Sequence, residues 1–166
     1  METLWDTIQG VGAIVGLATG LFVLWDRVFR FSPTAIVVVR PLLPGGMPKG
    51  TYLQISNPSD RPIIVSWRAG MRPNEFSIAE DHQTRSIVAA LLEGGRSTVI
   101  DPASHRELLL LKPSNVDVID PDNTIECEIY WRYAQPKIWK RDRRLSVAIS
   151  KRSMMILDPD DYGALD

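Results

Sequence analysis

Residues Thr7–Trp25 read TIQGVGAIVGLATGLFVLW, and no side chain among them is charged. A helix over this run, at about 1.5 Å per residue, spans roughly 29 Å, close to the hydrocarbon thickness of a bilayer. Trp5 and Trp25 bracket it as aromatic anchors do at the two membrane interfaces, and Arg27 and Arg30 follow at headgroup level. A cleaved signal peptide fits less well: Glu2 and Asp6 stand where a basic segment is needed, and Trp25, Asp26 and Arg27 stand where a small-residue cleavage site is needed. A buried core helix also fits less well, because past Thr7 only Gln9 and Thr19 are clearly polar. The expectation is one transmembrane helix with a juxtamembrane turn over residues 1–32.

No Lys or Arg precedes the span, whereas Arg27, Arg30 and Arg40 follow it. The positive-inside rule then puts the N-terminus outside and the rest of the chain in the cytoplasm, at a bacterial-type inner (plasma) membrane. The single cysteine, Cys127, agrees, since a cytosolic domain keeps its thiols reduced. Gly12, Gly16 and Gly20 make a GxxxGxxxG stripe, because residues four apart drift only about 40° around a helix. Such a stripe lets a second helix approach closely, and it predicts a homo-oligomer packed through these glycines.

Pro33 stops the helix, having no amide donor. From Thr34 the hydrophobic period changes to two. Thr34–Arg40, Thr51–Ser56, Pro62–Arg68, Ser97–Ile100, Arg106–Lys112, Thr124–Tyr133 and Arg144–Ser150 all read as strands. Asn57-Pro58-Ser59-Asp60 is turn chemistry and suggests a hairpin between the second and third of these. Asn74–Ile78 and Met154–Leu157 are weaker strand candidates. Gln83–Glu93 carries helix-like spacing and a Gly94-Gly95 stop, yet the same residues fit an irregular strand. Residues 158–166, DPDDYGALD, read as an acidic flexible tail.

Seven or eight short strands separated by turns predict a mainly β fold. An antiparallel β-sandwich over residues 33–157 follows the N-terminal transmembrane α-helix. At the level of architecture this resembles immunoglobulin-like domains. Trp67 on the third strand suits the core tryptophan of that plan, and the paired cysteines are absent.

Composition argues against several chemistries. A formal net charge of −1 over 166 residues gives no reason to expect specific nucleic-acid binding. His82 and His105, both read as loop residues, and Cys127 show no metal-ligand spacing. Asp101, Ser104 and His105 look triad-like on paper, but sequence neighbours rarely form a triad. Asp117, Asp120 and Asp122 lack the glycine and final glutamate of a calcium loop. No catalytic residue, metal site or cofactor is expected.

One polar stretch stands out. Lys137-Ile138-Trp139-Lys140-Arg141-Asp142-Arg143-Arg144 holds five cations and one anion around a tryptophan. In a sandwich it lies at the end where the first strand starts, together with Arg61. Lys137, Trp139, Lys140, Arg141, Arg143, Arg144 and Arg61 are therefore expected to contact anionic lipid, at about 1 kcal/mol per cation near the surface, or an anionic ligand such as a nucleotide.

Three functions follow as expectations: a non-enzymatic membrane-tethered interaction and assembly module; a membrane sensor-effector; or an accessory subunit docked by its glycine stripe on a protein partner. The second resembles, in architecture, small membrane effectors of bacterial antiviral systems, which pair membrane helices with a β sensing domain.

Overall fold

The computed structural model describes residues 2–41, 49–68, 72–92, 95–134 and 141–162, with the backbone alone at 2–8, 27–30 and 161–162. The chain divides at Pro33 into two compact units, Met1–Ser32 and Pro33–Asp166.

The first unit is one helix, α1 (Glu2–Arg30). Its segment Gln9–Asp26 is long and apolar enough to cross a membrane, and none of that segment is buried. The hydroxyl of Thr19 donates to the carbonyl of Val15 one turn back, at 2.8 Å, so this polar side chain is satisfied inside its own helix.

The second unit is mainly β. Its strands are β1 (Thr34–Pro41), β2 (Lys49–Asn57), β3 (Ile63–Trp67), β4 (Ser77–Ala79), β5 (Arg96–Ile100), β6 (Ser104–Leu111), β7 (Thr124–Tyr133) and β8 (Arg143–Ser150). They form two four-stranded antiparallel sheets, ordered β1-β2-β6-β4 and β5-β3-β7-β8. Alternation sets the register. Leu53 and Ile55 of β2, Ile63, Val65 and Trp67 of β3, and Ile125, Cys127, Ile129 and Trp131 of β7 all face inward. Slipping any of these strands by one residue would move every one of these side chains to the wrong face. Together with Leu108, Leu110, Ile100 and Met154 they form one core shared by both sheets.

The expected hairpin between β2 and β3 does not form. β2 pairs with β1 and β6, whereas β3 pairs with β5 and β7. The turn between them crosses from one sheet to the other, with Asn57 buried at its start. It is 1% exposed. Its amide group points at the carbonyls of Arg61 (2.8 Å), Ile100 (3.1 Å) and Asp101 (3.0 Å). Its Oδ1 accepts from the Ser59 amide at 3.1 Å and the Ser59 hydroxyl at 2.6 Å. A buried side chain with this many partners holds the chain in a crossover instead of a two-strand return.

Residues 74–79 make a second bridge. The Phe76 amide donates to the Glu126 carbonyl on β7 (2.8 Å), and Ser77–Ala79 then joins β6 of the other sheet. Thr84–Leu92 is helix α2, which resolves the ambiguous Gln83–Glu93 stretch. Its Ala90 packs with Ala79 and Leu109 on the outer side of the first sheet.

Met154–Leu157 does not extend the sheet. Lys151–Leu157 is helix α3, capped by Ser150, whose hydroxyl accepts from the Ser153 amide at 3.1 Å. Met154 turns wholly into the core. Asp158, the first residue of the stretch read as a tail, is 1% exposed, and Pro159–Tyr162 forms the single helical turn α4. Residues 163–166 lie outside the described residues.

Candidate functional site: a cationic groove on the outer sheet face

Strand pairing gathers several polar segments at one end of the β unit. Thr34 opposes Ser56, Ile63 opposes Tyr133, and Arg143 opposes Trp131. The start of β1, the Asn57–Ile63 crossover, the end of β7 and the start of β8 therefore share an end. Arg61, Arg143 and Arg144 come to it. Arg61 sits 3.9 Å from neighbouring Asp60 in a largely exposed pair. The Arg143 guanidinium lies over the Trp131 ring, 5.2 Å from its centroid, and Trp131 meets Tyr133 edge-on at 5.4 Å. Its position suits a cover for the rim of the core. Arg141 is exposed. Lys137, Trp139 and Lys140 lie outside the described residues, as do the side chains of Trp5, Arg27 and Arg30. Trp25 is 65% exposed. Gly12, Gly16 and Gly20 are exposed on α1, and a methyl group built on any of them meets nothing within 4 Å.

The larger feature is one that the loop reading misses. A groove of about 480 Å³ runs along the outer face of β5, β3 and β7, lined by Ile64, Ser66, Arg68, Ser97, Tyr130 and Arg132, with Asp142 at its rim. The ladder explains the set: Ser66 opposes both Ser97 and Tyr130, and Ile64 opposes both Val99 and Arg132. Outward positions of three neighbouring strands thus supply two hydroxyls, a phenol and a guanidinium. Arg68, one residue past β3, lays its guanidinium over the Tyr130 ring at 5.5 Å from the centroid. Gly95 closes the floor at the far end; a Cβ there would stand 2.7 Å from the Trp67 carbonyl oxygen.

The groove's charges are partly tied. Arg132 reaches Asp142 at 3.4 Å, Arg96 reaches Glu80 at 3.4 Å, and Arg144 reaches Glu128 at 3.2 Å. Glu128 accepts a short hydrogen bond from the Tyr130 hydroxyl. That bond, ahead of the nearby Arg144, Arg68 and Arg72, holds the Glu128 carboxyl below its ordinary pKa, and the same bond pushes the Tyr130 phenol up. Among the described residues Arg68 is exposed and makes no ion pair within 4 Å, while its charge acts on the nearby Glu128 carboxylate.

The residues weighed for catalysis lie apart from this groove. His105 is not in a loop but is the second residue of β6, because Ser56 and Asn57 continue the ladder to His105 and Ser104. The Ser104 hydroxyl points to the His105 carbonyl, not to its ring. His82 meets the Tyr52 hydroxyl through Nε2. Asp120 accepts from the Asp122 amide at 2.9 Å, and Asp122 pairs with Arg152 at 2.8 Å, so these acids shape a turn. Among the described residues no group of three or more His, Cys, Asp or Glu side chains gathers as a metal site would require.

No protein-family model matches the chain, and no curated protein matches it.

Sequence reasoning passed over Arg68, Arg132 and Tyr130 for a definable reason. The outward alternation Glu126, Glu128, Tyr130, Arg132 on β7 is legible. That Ser66 and Arg68 lie beside it depends on pairing between positions 64 apart in the chain.

Proposed function

We propose that this chain is a single-pass membrane protein, N-terminus outside and β unit in the cytoplasm. In this reading the β unit is a non-enzymatic interaction and assembly module, and α1 self-associates along Gly12, Gly16 and Gly20. One observation carries the proposal: the apolar segment Gln9–Asp26 is wholly unburied, and it precedes, at Pro33, a unit with its own complete core. Ile14 (69% exposed), Val15 (58%), Val23 (57%) and Leu24 (61%) lie on different sides of the helix. Apolar surface on all sides is unfavourable in water, and a hydrocarbon layer removes that cost.

The β unit is further proposed to be a disulfide-free immunoglobulin-like sandwich. In its favour, the order β1-β2-β6-β4 resembles the ABED sheet of that plan and β3-β7-β8 its CFG sheet, with β5 added beside β3 and Trp67 on the third strand. One departure is topological: β4, on the first sheet, precedes β5, on the second, the reverse of the usual chain order.

Alkaline carbonate extraction and C-terminal reporter fusions test the membrane reading. The protein should stay in the pellet, and a cytoplasmic reporter should be active. Release into the supernatant removes the anchor; activity of a periplasmic reporter inverts the topology.

The groove favours a second reading, the sensor-effector, in which a ligand on the β unit alters helix packing. Induced expression separates the two, since only an effector depolarises the membrane when its ligand is present.

A further inference from the structure

The groove on the outer face of β5, β3 and β7 has a chemistry of its own. Arg68 stands at one end and Arg132 toward the other, along β3 and β7. Ser66, Ser97 and the Tyr130 phenol fill the floor between them. The two serine hydroxyls and both guanidinium groups can donate hydrogen bonds, the guanidinium groups as paired donors in a planar fork, while the Tyr130 hydroxyl already donates to Glu128. Ile64 and the Tyr130 ring add apolar surface.

We propose that this groove binds a phosphate monoester, with the phosphate gripped by Arg68 and Arg132 and its organic part lying over Ile64 and Tyr130. Three observations select that anion. First, Arg132 already has a carboxylate beside it, Asp142 at 3.4 Å, with both side chains well exposed (39% and 48%). A single carboxylate on a ligand would gain nothing by replacing Asp142. A dianion with three terminal oxygens would gain, because it meets both guanidinium groups and the serine hydroxyls at once. Second, Arg68 is held over an aromatic ring and makes no ion pair within 4 Å among the described residues, so its donors are open although its charge also acts on Glu128. Third, about 480 Å³ is far more than a bare phosphate fills and lies within the ordinary range for small-ligand sites. A phosphate free in solution and one carried on a lipid headgroup present the same chemistry to the groove.

This inference goes beyond the assembly reading and supplies a ligand class for the sensor reading. Binding at the groove does not depend on α1 crossing a membrane, so failure of carbonate extraction would leave it untouched.

The test uses the full chain in a nonionic detergent, titrated calorimetrically at constant chloride and ionic strength. Three probes are used: inorganic phosphate, glycerol 3-phosphate and short-chain phosphatidic acid. Saturable binding of at least one is expected. Arg68→Gln and Arg132→Gln should each weaken it about tenfold or more, as expected for loss of a hydrogen bond to a charged group. Asp142→Asn should strengthen it several-fold, by releasing Arg132 to the ligand; a purely structural role for Asp142 would not produce that sign. Preference for phosphatidic acid over glycerol 3-phosphate assigns the ligand to lipid, and the reverse assigns it to a soluble metabolite; both support the site. If Arg68→Gln melts well below wild type, Arg68→Lys keeps the charge, loses the fork and serves in its place, and it should bind measurably more weakly. The proposal is overturned if no probe binds saturably, if the arginine variants bind as wild type does, or if Asp142→Asn weakens binding.

Discussion

The indole Nε1 of Trp67 on β3 donates a hydrogen bond to the carbonyl of Ile78 on β4, at 3.0 Å. The two strands belong to different sheets, so this bond crosses the core and joins its two walls. Trp67 is 3% exposed, and no water reaches the carbonyl to replace the donor. Trp67→Phe keeps most of the packing and removes the donor, and should cost about 1–3 kcal/mol. Trp67→Ala adds a cavity and should cost about 3–5 kcal/mol. Denaturant unfolding of the full chain in nonionic detergent measures both; a Phe variant as stable as wild type would show that the bond contributes only geometry.

Asn57 is the second structural test. Asn57→Ala removes the donor shared by the Arg61, Ile100 and Asp101 carbonyls, and only the Arg61 carbonyl keeps a side-chain donor, the Ser59 hydroxyl at 2.8 Å. The loss should be about 2 kcal/mol or more, because unsatisfied buried groups cost their full desolvation. Asn57→Asp preserves shape but presents an acceptor to three carbonyls, and should be at least as damaging. If either variant unfolds at the wild-type denaturant concentration, the crossover is held by something other than this side chain.

Cys127 gives a pH dependence with a definite sign. Burial, and then the neighbouring Glu75, push its thiol from the ordinary 9.0 up to about 12. Below pH 9 the thiol is protonated in both folded and unfolded chains and contributes nothing to the slope. Between about pH 9 and pH 12 the unfolded chain releases the proton while the folded chain keeps it, so stability falls as pH rises. Cys127→Ala starts from lower stability because of the cavity, yet its stability should decline less steeply across that window. Parallel slopes for the two proteins would remove the thiol as the cause. At neutral pH the native thiol should resist alkylation until the chain unfolds.

Gly16 tests assembly. A Cβ at Gly16 meets nothing within 4 Å beyond the adjoining backbone of α1, and Ile is apolar, so Gly16→Ile should leave the helix and its insertion intact. Association between copies should drop, because close backbone approach supplies the packing that replaces a hydrophobic driving force in lipid. Leu17→Ile, at an exposed position about 100° around the helix from Gly16, is the matched control. Crosslinking in membranes reads both. Equal crosslinking of Gly16→Ile and wild type would move self-association to the β unit, whose edge strands β1 and β8 become the next candidates.

The alternation of Ile125, Cys127, Ile129 and Trp131 on β7 needed no coordinates, because a period of two with apolar residues on one side admits only a half-buried strand. The helical run in α1 was equally plain, since an uncharged, largely apolar run from Thr7 to Trp25 is far too long for a single strand. The Asn57–Pro62 turn was visible as a turn and misread as a hairpin. Turn residues report local dihedral angles, and Asn57's decisive partners, Ile100 and Asp101, lie more than forty residues away. Met154 failed for a similar reason. A short apolar run fits a strand or a helix equally, and the Ser150 cap that selects α3 sits inside what reads as the end of a strand.

The sequence alone determined that an uncharged, membrane-length helix precedes a β-patterned unit, and which strand positions point inward, because both follow from local periodicity. Tertiary structure decided which strands are neighbours. That choice depends on satisfying buried groups such as Asn57 and Trp67 across distant segments, and no local pattern encodes it. It also made the groove: Ser66 and Arg68 meet Tyr130 and Arg132 only because β3 pairs with β7. Local patterns show that each of these side chains faces outward, while the long-range pairing alone brings them into one site.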